Sequence, residues 1–143
     1  MCTSLGVDMY DCVYPTRTAR FGVALVDGPA PGTLRIKARE CMFDNTIIQP
    51  GCQCQPCREG ITKGRLHSLL KANNPLAVEL ITQHNIAYMM NLVRSMRQAI
   101  LEDRFPNYVR SFIRSQFPGK DKGGEDCPAW VVDALGAAGI SLA

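Results

Sequence analysis

Three cysteines within six positions, Cys52-Gln53-Cys54-Gln55-Pro56-Cys57, constrain this chain more than any other feature. The run is too tight for the three to cross-link among themselves without strain. Thiolates from a single turn converge readily on one soft metal ion. A tetrahedral site needs a fourth ligand, and the sequence holds only two histidines, His67 and His84. The bland alternative is a loop of reduced surface thiols, but zinc clips commonly use this kind of spacing. The reading is a Cys3His zinc site of Cys52, Cys54, Cys57 and His84. Four protein ligands leave no position for water, so such a site is structural and pins a loop to a helix.

Composition sets the frame for that site. At 143 residues the chain is one domain or a piece of one, and a hydrophobic content of 46% excludes wholesale disorder. No apolar run approaches the roughly 20 residues of a membrane span. The first residues have no basic stretch followed by an apolar core, so no signal peptide is read there. Seven cysteines is an odd number, and with three of them clustered a disulfide framework is not expected and a reducing compartment is. A net charge of +3 permits a nucleic-acid partner without demonstrating one.

Taken in order, Leu5 to Val13 reads as a short buried strand stopped by Pro15, with Asp11 near its end. Thr16-Arg17-Thr18-Ala19-Arg20 is expected to be a loop. Phe21–Val26 and Thr33–Ala38 are expected to pair as a hairpin across the turn-forming Asp27–Gly32. Arg39 to Pro50 looks irregular. A short helix is expected over 64–72. A long one is expected from Pro75 to about Glu102, opened by Asn73-Asn74-Pro75. The inward stripe of the long helix is Ala77, Leu80, Ile81, His84, Tyr88, Leu92, Met96 and Ile100. His84 lies on that stripe, which favours it over His67 as the fourth ligand. Phe105–Phe117 reads as an amphipathic helix and Pro118–Asp126 as a mobile loop. Cys127–Leu135 reads as a short helix anchored by Trp130, and Gly136–Ala143 as an extended tail.

Two further groups could carry chemistry. Asp8 and Asp11 are three apart, so on a strand they face opposite ways, which does not support paired-carboxylate catalysis. Asp11 alone, at a strand end before a basic loop, fits a nucleophile in a parallel barrel or a plain turn cap. Arg17 and Arg20 beside small hydroxyl residues suit phosphate recognition or a solvated loop.

Together these pieces resemble a specific family. Gly6-Val-Asp-Met-Tyr-Asp-Cys-Val-Tyr-Pro-Thr-Arg-Thr-Ala-Arg-Phe-Gly22, the Cys-x-Cys-x-x-Cys run, and Thr82-Gln-His-Asn-Ile-Ala-Tyr88 resemble the C-terminal part of a tRNA-guanine transglycosylase. The closing Cys127-Pro-Ala-Trp-Val-Val-Asp-Ala-Leu-Gly136 is similar to the form seen in eukaryotic catalytic subunits. Tyr10 and Tyr14 stand where phenylalanine is common.

The resemblance implies an α/β fold, the C-terminal portion of a TIM barrel with a zinc-binding subdomain and terminal helices. Residues 1–26 would be the last barrel strand region, 27–72 the hairpin and zinc subdomain, and 73–143 the long helix and C-terminal helices. It implies exchange of the wobble guanine in tRNA with a GUN anticodon for the base queuine, through a covalent aspartyl-ribose intermediate. Asp11 matches the nucleophile. Thr16, Arg17, Thr18, Ala19 and Arg20 match the RNA-contacting segment, and Cys52, Cys54, Cys57 and His84 match the ligands of a structural Zn2+. The family's base pocket and second essential aspartate lie upstream of these motifs, so the chain reads as a fragment inactive alone. A heterodimer with a non-catalytic paralogous subunit is implied, in the cytoplasm, with peripheral association at the mitochondrial outer membrane. The contrasting reading is a non-catalytic, zinc-stabilised module that binds RNA or a subunit.

Overall fold

The computed structural model describes residues 1–28, 32–122 and 124–142, apart from the side chain of Lys122. Its architecture is mixed helix and strand, dominated by helix. Six α-helices, α1 (Tyr14–Arg20), α2 (Gln55–Arg58), α3 (Lys63–Lys71), α4 (Pro75–Leu101), α5 (Phe105–Gln116) and α6 (Ala129–Ala137), accompany a two-stranded sheet among the described residues. Strands β1 (Val23–Leu25) and β2 (Thr33–Arg35) pair antiparallel, with Ala24 opposite Leu34. The hairpin expectation holds for this core, although Pro29, Ala30 and Pro31 of its turn lie outside the described residues. The chain divides into two compact units, one of Met1–Asp11 and Ser95–Ala143, the other of Cys12–Asp27 and Gly32–Arg94. Helix α4 supplies residues to each.

The second unit carries the cysteine run. Its core gathers Ala19 of α1, Ala24 of β1, Ile36, Ile48, Cys54, Cys57, Leu66 and Leu70 of α3, and Ala77, Leu80 and Ile81 of α4. Gly22 turns the chain from α1 into β1 at φ 73°, where a Cβ would meet Leu70 Cδ1 at 2.9 Å, so glycine serves both the left-handed backbone and the close approach. Thr62 caps α3 by accepting the Arg65 amide at 3.1 Å. The Asn74 side chain does the same for Leu76 at the start of α4, at 3.0 Å. The helix starts expected near residues 64 and 75 therefore hold.

In the first unit, Val109 and Ile113 of α5 pack with Val131 and Leu135 of α6 and with Ile140. Phe105, Tyr108 and Phe112 stack along α5, each ring 6.4 Å from the next.

Several expectations give way. Leu5–Val13 is no buried strand: Cys2–Leu5 forms a single 3-10 turn, and Val7 to Val13 is exposed and irregular. A strand exists only where a neighbour completes its ladder, and no described residue pairs with this stretch. Thr16–Arg20 is helix, not loop. Pro15 sits in the first turn of α1, where its missing N–H is harmless, so it opens a helix instead of ending a strand. Along α4 the inward stripe drifts: Ala99 is fully buried and Ile100 is 47% exposed. Trp130 does not anchor α6; it is 66% exposed, and Val131 and Leu135 take that role. The segment expected to be a mobile loop holds a 3-10 turn over Lys120–Lys122, with Gly123 outside the described residues.

Candidate metal centre

The cysteine run folds as a loop entering α2. Cys52 and Cys54 precede that short helix and Cys57 lies on it, so three sulfurs turn toward one point. His84, one third of the way along α4, is fully buried and meets them there. Its Nδ1 lies 3.7 Å from Cys52 Sγ, 3.4 Å from Cys54 Sγ and 3.4 Å from Cys57 Sγ. The four ligand atoms lie within 4.8 Å of one another.

His84 Nε2 lies 2.8 Å from the Leu25 carbonyl oxygen. A carbonyl only accepts, so Nε2 carries the hydrogen and Nδ1 presents a lone pair to the sulfurs. One lone pair accepts one good thiol hydrogen bond, not three. A cation at the centre satisfies all four atoms. For zinc, with Zn–S of about 2.3 Å and Zn–N of about 2.05 Å, a tetrahedron places sulfur and nitrogen about 3.6 Å apart. The observed separations match that edge, and the residues fit the metal.

Burial pushes the Cys54 and Cys57 thiols up, against which backbone hydrogen bonds from Cys57 and Gln49 respectively act only in part. Burial pushes His84 down, keeping the imidazole neutral and able to ligate. A bound cation would reverse the preference at sulfur and expel the thiol protons. The Leu25 carbonyl fixes the ring, as an outer partner does for ligating histidines generally. With all four positions taken by protein, the arrangement can hold a metal but cannot activate water.

The loop before the run is tied down separately. Asp44 Oδ1 accepts the Thr46 amide at 2.8 Å and its hydroxyl at 2.6 Å, and Lys63 Nζ meets Asp44 Oδ2 at 2.9 Å. The Thr46 contact, seconded by Lys63, pulls the Asp44 carboxyl down to about 2. Ile47 bridges to Thr62, so the loop and α3 are joined on either side of the ligands.

His67, the rejected alternative, is buried on α3 with Nδ1 on the Ile36 carbonyl at 2.9 Å. It is a core histidine. Cys2, Cys12, Cys41 and Cys127 are free thiols, none of them in the cluster.

The remaining expected site residues are divided. Arg17 and Arg20 are exposed on α1, three apart and therefore neighbours on one helix face. Thr16 is half-buried and bonds the Val13 carbonyl at 3.0 Å. Thr18 is half-buried with its hydroxyl on the Tyr14 carbonyl at 2.8 Å, and Ala19 is fully buried in the core. Asp11 is exposed in the first unit, whereas the arginines belong to the second.

Sequence reasoning missed Asn85. Its side chain is fully buried, accepts the Leu25 amide at 2.9 Å, and reaches the Pro15 and Val23 carbonyls at 3.0 Å each. The available signal was a weak helix former in the interior of a long helix, next to the expected ligand.

The family model for queuine tRNA-ribosyltransferase matches residues 1–118. The chain is 37% identical over 148 residues to the queuine tRNA-ribosyltransferase catalytic subunit of Schizosaccharomyces pombe, an alignment covering 99% of this chain and 35% of that protein. It is 39% identical over 137 residues to the queuine tRNA-ribosyltransferase of Thermus thermophilus, covering 94% and 32%. With the catalytic subunit of Caenorhabditis briggsae the identity is 34% over 151 residues, covering 99% and 37%. The chain thus spans about a third of the length of the curated relatives it matches.

Proposed function

We infer the function from the family to which this chain belongs, that of the queuine tRNA-ribosyltransferases. In the full-length protein it supplies the C-terminal part of a TIM barrel and a structural zinc subdomain to an enzyme exchanging the wobble guanine of tRNA for queuine. The observation that carries this reading is the convergence of Cys52, Cys54, Cys57 and His84 within a stretch that matches the family over residues 1–118.

The chemistry assigned to this chain begins at Asp11. Its carboxylate oxygen attacks the ribose C1′ of a flipped-out nucleotide. The C1′–N9 bond breaks, and guanine leaves with the electron pair and takes up a proton. The incoming base, deprotonated at its nucleophilic nitrogen, then displaces the carboxylate and restores a glycosidic bond. Covalent catalysis of this kind splits one hard step into two easier ones. Arg17 and Arg20 meet phosphates on the RNA, with Thr16 beside them, while Thr18 and Ala19 secure the segment from behind. Zinc takes no part in these steps; it holds the loop to α4. Heterodimer formation with a non-catalytic paralogue and a cytoplasmic location belong to the same reading.

A second reading, a zinc-stabilised module that binds RNA or a subunit without catalysis, draws support from the exposure of Asp11 outside any strand. Exchange of labelled base into unmodified tRNA by the full-length protein separates the two. Asp11→Asn should abolish exchange and the trapped RNA–protein adduct while tRNA binding persists. Full activity in that variant would remove Asp11 from its role.

A further inference from the structure

Asn85 follows the metal-facing His84 on α4, and every bond its side chain makes leaves its own helix. Oδ1 takes the Leu25 amide hydrogen at 2.9 Å. Nδ2 lies 3.0 Å from the Pro15 carbonyl, 3.1 Å from Thr18 Oγ1 and 3.0 Å from the Val23 carbonyl. A buried amide is costly unless it is paired, and alanine would suit the helix interior better. None of these four contacts touches the cysteines. Asn85 therefore serves neither α4 itself nor the closing of the metal site.

What it serves is α1. Two of its partners, Pro15 and Thr18, lie on that helix. Thr18 accepts from Asn85 while donating to the Tyr14 carbonyl at 2.8 Å, so the clamp reaches the backbone of the helix whose open face carries Arg17 and Arg20. Leu25 joins the two systems. Its amide is held by Asn85, and its carbonyl by His84 at 2.8 Å. Adjacent residues of one rigid helix thus grip the metal loop and α1, with the same strand residue between them.

We propose that Asn85 is a positioning residue that locks the arginine-bearing helix α1 to the metal centre, so that loss of the metal releases α1. The consequence for tRNA rests on the function inferred above; the coupling of metal to α1 does not.

The test uses the full-length, zinc-loaded protein and reads amide exchange over residues 14–20 without RNA, zinc stoichiometry, and KM for tRNA. Asn85→Ala and Thr18→Val should each raise exchange in that segment about tenfold or more, the scale expected when buried hydrogen bonds are lost. Zinc content should be retained. KM for tRNA should rise more than kcat falls, and Thr18→Ser should stay near the parent. Chelating zinc from the parent should raise exchange in the same segment. Should Asn85→Ala fail to fold, Thr18→Val carries the test, because it touches only the α1 side of the clamp. Unchanged exchange over 14–20 in zinc-loaded Thr18→Val, or in the chelated parent, overturns the proposal. A parent protein that binds no tRNA would instead remove the functional reading and leave the exchange result standing.

Discussion

The Leu25 carbonyl takes the Nε2 hydrogen of His84 at 2.8 Å, and that single bond aims Nδ1 at the three cysteines. A backbone atom of β1 thus sets the tautomer of a ligand on α4. His84→Ala should abolish bound zinc, from one ion per chain to none. His67→Ala should keep the ion, since His67 lies outside the ligand cluster with its Nδ1 on the Ile36 carbonyl, and should lose stability through the vacated core. Elemental analysis of the purified variants checks both. Zinc retained without His84 and lost without His67 would reverse the ligand assignment.

Removing one sulfur should act in the same way. Cys54→Ser should release the metal and loosen the second unit, because a structural metal contributes directly to folding. Cys127→Ser, distant from the cluster in sequence and absent from it, should leave stoichiometry unchanged. Metal affinity should also depend on pH in a known direction. Burial pushes the free Cys54 and Cys57 thiols up from the ordinary thiol value, and the metal must displace those protons. Each proton released lowers affinity about tenfold per pH unit of acidification, so these two thiols alone give a loss of at least about a hundredfold. Competition with a chelator of known pH dependence measures the slope, and a flat profile would exclude thiolate ligation.

The metal centre was legible because its chemistry is local. Cys52, Cys54 and Cys57 declare themselves by spacing, and His84 by its place in the periodicity of a helix with a marked start. Leu5–Val13 misled for the opposite reason. An apolar run states what a strand would bury, but only partners far along a chain decide whether it forms. Pro15 is ambiguous on its own terms, since the same ring that interrupts a strand suits the first turn of a helix. Trp130 was chosen for size, yet the face of α6 that packs is set by Val131 and Leu135, one and five positions on. Asn85 lay inside a recognised motif, but its partners on α1 and β1 become visible only when the elements are assembled.

Asp44 gives an acid-sensitive contribution. Its carboxyl sits at about 2, lowered first by Thr46 and then by Lys63, against about 3.9 in an unfolded chain. The folded pKa is depressed, so the stabilisation is complete above about pH 4 and is lost as pH falls toward 2. Asp44→Asn should flatten the stability profile in that window and leave its slope at higher pH unchanged. Denaturant titrations at stepped pH check this, and an unaltered acid limb would show that the Asp44 carboxylate, with its Thr46 and Lys63 contacts, contributes nothing.

In the first unit, Leu135 is fully buried while Trp130 is two-thirds open. Leu135→Ala should cost about 2–5 kcal/mol, as large-to-small changes in a packed core do. Trp130→Ala should stay within about 0.5 kcal/mol, as exposed positions do. Thermal unfolding of the two variants side by side would reveal a reversed order if the tryptophan were the anchor.

Arg17 and Arg20 lie exposed on the same face of α1, and the final expectation follows from that placement together with the inferred tRNA substrate. A side chain that neutralises one phosphate releases condensed counterions, and each such contact adds about 0.7–0.9 to the slope of log affinity against log salt. Arg17→Ala and Arg20→Ala in the full-length protein should each weaken tRNA binding and flatten that slope by about one. The loss should be nearly uniform across tRNAs, since phosphates carry no sequence. Lysine should restore the slope better than the affinity, because it keeps the charge and loses the planar fork. Unchanged salt slopes in both alanine variants would place the RNA elsewhere on the protein, whatever the fate of catalysis.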